Sequence, residues 1–98
     1  MENMIKKGTK EYDLANQKIE QILDEVEILE KSFFDTGSKD DAKELLAYLD
    51  NYKMIGNHLE TFSEKDLEGV QYKKMRINQY LSDKKSLSYV KRRWEKEE

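Results

Sequence analysis

Carboxylates are the most numerous reactive groups in this sequence, and they cluster: Asp24, Glu25, Glu27 and Glu30, then Asp40, Asp41 and Glu44. General acid chemistry needs a carboxylate in a desolvating pocket that moves its pKa. These residues fall on surface positions of amphipathic helices, and acids at a helix N-terminus are favoured by its dipole. They read as a solvated face. His58 is the only histidine, with Asn57 and Glu60 beside it; a metal site needs convergent ligands. The run Asp35-Thr-Gly-Ser-Lys-Asp40-Asp41 resembles a calcium loop, but its glycine comes third and position twelve is not glutamate. There is no cysteine nucleophile, no G-x-S-x-G and no glycine-rich phosphate loop. The expectation is no catalytic residue, no metal, no cofactor and no enzyme.

Charge carries more information. Residues 1–70 hold 9 Lys against 17 Asp and Glu, a net of −8, and residues 71–98 hold 9 Lys and Arg against 4 acids, a net of +5. Such a split hints at partners. Lys84, Lys85, Lys91, Arg92 and Arg93 are the candidate contacts for an anionic partner: Lys91, Arg92 and Arg93 project outward beside Val90 and Trp94, and Lys84 and Lys85 sit at the helix start, where cations are misplaced unless an anion binds there. Asp24, Glu27, Asp40, Asp41 and Glu44 are the candidate contacts for a basic one.

The elements that position these groups are helices. Tyr12, Ala15, Ile19, Ile22, Val26, Leu29 and Phe33 recur with alternating steps of three and four, a heptad seam that predicts a helix over about 10–34. Leu14 and Ile28 lie off this seam, at c positions, where they either serve a second contact or are simply exposed. Gly37 suits a left-handed cap, and Ser38 with Asp41 makes a capping-box pattern. A turn this short implies an antiparallel hairpin. The second helix is expected over about 39–62, on the seam Ala42, Leu45, Leu49, Tyr52, Gly56 and Leu59. Ile22 and Leu49 should share one core. Ser63 and Asp66 repeat the capping pattern before a helix over about 64–81, and Leu87, Val90 and Trp94 support a last one over about 87–97. Residues 1–8 read as a flexible tail and 9–98 as a single helical domain.

The fold class is therefore all-α: an antiparallel hairpin extended to a small three- or four-helix bundle. Apolar residues make up 37% of the chain and charged residues 40%. Soluble domains average roughly 45–50% and 25%, so a thin bundle or an oligomer is expected. Cysteine is absent, no apolar run approaches a membrane span and the start of the chain has no apolar signal region. Together these fit a cytoplasmic protein with no membrane partner. Fifteen lysines against three arginines, with many Asn, Ile and Tyr, fit the AT-rich coding of low-GC bacteria and their phages. The leading functional expectation is a non-enzymatic module for protein–protein binding or regulation, with self-association as a further option. One alternative is a DNA-binding regulator using the basic C-terminal helix; against it, residues 82–86 form a long, glycine-free turn for a helix-turn-helix, and the acidic helices repel DNA. The other is a phage- or plasmid-encoded inhibitor, anti-CRISPR-like or a DNA mimic, acting through the acidic helices.

Overall fold

The computed structural model of the chain describes residues 4–97. Four helices make a small bundle: α1 (Lys10–Thr36), α2 (Lys39–Gly56), α3 (Glu64–Leu81) and α4 (Leu87–Glu97). The longest dimension, 43 Å, is close to the length of α1, about 40 Å at 1.5 Å per residue. The molecule is thus a rod built on its first helix.

Local chemistry sets each boundary of the hairpin. Thr9 accepts from the Tyr12 amide and opens α1. Gly37, at φ 70°, closes it by donating its N–H to the Phe33 carbonyl at 2.7 Å. Ser38 opens α2 by accepting from the Asp41 amide. The reciprocal half of the expected box is missing, because the Asp41 carboxylate instead accepts from Ser32 Oγ at 2.6 Å. That bond ties the end of α1 to the start of α2 across the turn. The box at Ser63 and Asp66 is complete, with both hydrogen bonds formed.

The core runs along the seams. Val26 and Phe33 of α1, Ala42, Leu45 and Leu49 of α2, Val70 and Ile77 of α3, and Val90 and Trp94 of α4 form one buried cluster. Phe33 is its hinge: it meets Phe34 and Tyr80 at ring centroid distances of 4.9 and 5.3 Å. The Tyr80 hydroxyl donates to the Gly37 carbonyl at 2.5 Å, and Lys39 pairs with Asp83 at 2.8 Å. The end of α3 is thereby fastened to the hairpin turn. Asp83 itself holds a left-handed φ of 62° without being glycine. Ile22 departs from expectation: it packs against the core but is only half-buried, because it borders a groove that α3 leaves uncovered.

Two expected element bounds also need correction. The second helix ends at Gly56, six residues short of the expected 62. An ideal Cβ at Gly56 would lie 2.5 Å from the ring of Phe62, so that ring sits directly on the glycine backbone. Phe62 also stacks edge-on against Tyr52 at 5.6 Å. The apolar positions after Gly56 keep helical spacing but are buried by the chain folding back. The flexible tail is the second correction. Ile5 forms a parallel bridge with Leu59: its amide donates to the His58 carbonyl at 2.6 Å, and its carbonyl accepts from the Glu60 amide at 3.1 Å. The Lys7 amide donates to Glu60 Oε2 at 2.7 Å, and Tyr12 meets Thr61 at 2.9 Å. Buried Leu59 needs this cover, and the turn's backbone groups need partners. Residues 1–3 of the expected tail lie outside the described residues.

Candidate functional site

The α3–α4 pair places tyrosine and arginine four residues apart on each helix, as Tyr72 with Arg76 and Tyr89 with Arg93. That spacing puts both members of a pair on one helix face. The Arg76 guanidinium lies 4.7 Å from the Tyr72 ring and 5.5 Å from the Tyr89 ring. Arg93 is 5.5 Å and Lys85 Nζ 4.7 Å from the same Tyr89 ring. Tyr89 is therefore ringed by three cations. The Tyr72 hydroxyl donates to the Arg93 carbonyl at 3.3 Å, joining the two helices. Arg76 Nη1 donates to Gln79 Oε1 at 3.0 Å, while its buried Nε has no hydrogen-bond partner among the described residues. A hydrogen bond from Arg93 lowers the Tyr89 phenol below its ordinary range, and Arg76 adds to the effect.

Next to this stack is an open depression of about 270 Å³ walled by Tyr89, Arg92, Arg93 and Lys96, with no carboxylate in its wall. The cations that face the hairpin behave differently. Lys73 pairs with Glu30 at 3.0 Å and Lys74 pairs with Asp50. Among the described residues no carboxylate forms an ion pair with Arg76, Lys85, Arg92, Arg93 or Lys96. Guanidinium groups held against aromatic faces keep their donors directed at a carboxylate or phosphate oxygen. Such an arrangement is chemically suited to an oxyanion.

The five expected basic contacts are divided by the fold. Arg92 and Arg93 lie together on the depression, and Lys85 reaches the same Tyr89 from the turn before α4. Lys84 sits exposed on that turn. Lys91 lies apart from them, in a cleft with Glu27, Glu30, Phe34 and Trp94. Trp94 is buried there, with Lys73 over its ring at 5.1 Å, and its Nε1 has no hydrogen-bond partner among the described residues. Of the acidic candidates, Asp24 and Glu27 are exposed in the middle of α1, Asp40 and Glu44 are exposed near the start of α2, and Asp41 is half-buried against Ser32. Sequence reading counted Arg76 only among the basic residues of the C-terminal segment and did not single out Tyr72 or Tyr89. Their signal was the Tyr-x-x-x-Arg spacing, repeated on two helices.

His58 lies exposed in the turn after α2. Among the described residues no group of three or more His, Cys, Asp or Glu is placed to hold a metal, and no helix is long and apolar enough to cross a membrane. No family model, curated protein or solved structure matches the chain at a significant level.

Proposed function

We propose that this chain is a non-enzymatic binding module, working in the cytoplasm, that docks an acidic segment of a partner protein on the α3–α4 face. The cations gathered around Tyr89 without an ion-pair partner among the described residues carry the reading. Arginine and tyrosine are the residues enriched where interfaces concentrate their energy. A short acidic peptide fits a patch this compact. Duplex DNA is the weaker match, because it is long enough to meet the acidic hairpin as well, and the hairpin repels it.

Fluorescence anisotropy with a labelled glutamate-rich peptide and with random duplex DNA tests this directly. The peptide should bind, and its affinity should fall with salt. Replacing Arg92 and Arg93 together by Ala should weaken binding about tenfold, taking about 0.7 kcal/mol for each exposed charge contact. Their removal should leave the helical signal unchanged. Tighter binding to duplex DNA than to the peptide would favour a DNA-binding regulator. Binding to neither would make the face a solubilising surface.

A further inference from the structure

The opposite side of the molecule carries a different message. Between α1 and α2, away from α3, runs an open groove of about 710 Å³ lined by Lys18, Gln21, Ile22, Glu25, Tyr48, Asn51, Met54 and Ile55. Among the described residues the three most exposed large apolar side chains are Met54 (62%), Ile28 (61%) and Leu14 (57%). Met54 lines the groove. Leu14 and Ile28 stand on α1 seven residues either side of Gln21, so all three fall on one stripe of the helix.

That stripe reads Leu14, Lys18, Gln21, Glu25, Ile28, and it is self-complementary when reversed. Lys18 and Glu25 are opposite in charge and nearly equidistant from Gln21. Leu14 and Ile28 are both apolar and equidistant from it. Neither Lys18 nor Glu25 has an oppositely charged residue three or four positions away on α1, and neither forms an ion pair among the described residues. A charge pattern with no use inside its own helix fits a use between helices.

We infer that α1 pairs antiparallel with α1 of a second copy of this chain, about a twofold axis beside Gln21. Lys18 then faces Glu25 of the partner subunit and Leu14 faces Ile28 of the partner subunit, each contact occurring twice, as an isologous interface requires. The two matches agree in register to within one residue, about 1.5 Å along the helix. Met54 and the groove beside it are covered by the same contact. The face is separate from the α3–α4 site and the inference does not depend on that site's partner.

Sedimentation equilibrium on the full chain tests it. The parent should sediment at twice the chain mass. Lys18→Glu places two like-charge pairs across the axis and should raise the dimer dissociation constant by at least about a hundredfold, since each such pair costs several kcal/mol. Glu25→Lys should do the same. The double exchange K18E/E25K restores both pairs and should return the dimer. An equimolar mixture of the two single variants should also dimerise, because every facing pair is then opposite in charge; in a parallel pairing, where 18 faces 18 and 25 faces 25, neither single variant would pair worse than the parent. Both side chains are exposed, so circular dichroism should show unchanged helix in every variant. A monomeric parent at the highest soluble concentration overturns the inference, and so does a dimer that the single variants leave intact or that the double exchange fails to restore.

Discussion

Gly56→Ala should destabilise the protein although alanine is the better helix former. Inside a helix the exchange gains up to about 1 kcal/mol. At this position the new Cβ would lie 2.5 Å from Cδ1 and Cε1 of Phe62. Carbon atoms rest about 3.5–4.0 Å apart, so the ring must retreat by about 1 Å. Retreat weakens its edge-on contact with Tyr52 and uncovers the end of α2. Removing a core phenylalanine costs about 3–5 kcal/mol. Phe62 is half-buried, and half of that cost is about 2 kcal/mol. The net expectation is a loss of about 1–2 kcal/mol, read as a lower urea midpoint at unchanged slope. The same exchange in a Phe62→Ala background meets no ring and should stabilise by up to about 1 kcal/mol. This change of sign between backgrounds is the diagnostic coupling. If Gly56→Ala stabilises the parent chain, Phe62 does not close over the helix end, and the explanation for where α2 stops is wrong.

Gly69 makes the opposite case. A Cβ there meets nothing within 4 Å, so Gly69→Ala should raise stability by about 0.5–1 kcal/mol; a loss in thermal unfolding would show that α3 needs flexibility at that point. Leu45→Ala, at a fully buried position, should cost about 2–5 kcal/mol, and Ile22→Ala should cost clearly less because its side chain borders the groove; equal losses by urea unfolding would contradict the assigned burial. Burial raises the Tyr52 phenol above its ordinary value. Its contribution to stability is therefore complete below the unfolded-state value of about 10 and is lost as pH rises through the folded one. Tyr52→Phe should flatten the alkaline loss of stability, and an unchanged slope would dismiss this group. Tyr89 shifts the other way, so tyrosinate absorbance should show a step below the ordinary phenol range; Tyr89→Phe should abolish it and Arg93→Ala should return it upward.

The helices were legible because seam periodicity and cap residues are local signals. The Ser63–Asp66 box and Gly37 could be placed from spacing and backbone preference alone. The end of α2 could not, because Leu59 and Phe62 continue the helical spacing while the chain has turned. Only the ring's position on Gly56, a tertiary contact, decides the matter. The partnership of Ile5 with Leu59 was hidden for the same reason, since no local pattern links residues so far apart. At the candidate site, the count of cations was visible but their division was not. Lys91 and Arg92 are adjacent in sequence yet differ by about 100° around α4, enough to send one toward α1 and the other to the Tyr89 face.

The Ile5–Leu59 bridge also bears on how the protein assembles in time. α1 with α2, α2 with α3 and α3 with α4 are chain neighbours, and contacts of that kind form quickly because little loop entropy is spent on them. The strand-like strap joins segments 53 residues apart, as the Lys7–Glu60 bond records. It gains its hydrogen bonds only after the hairpin has brought both segments to the same end of the rod. It is therefore expected to form late and to be among the parts of the structure that open first. The amides of Ile5 and Glu60 should exchange with solvent faster than that of Leu45, which makes the strap a latch whose release frees the α2–α3 corner without melting the hairpin.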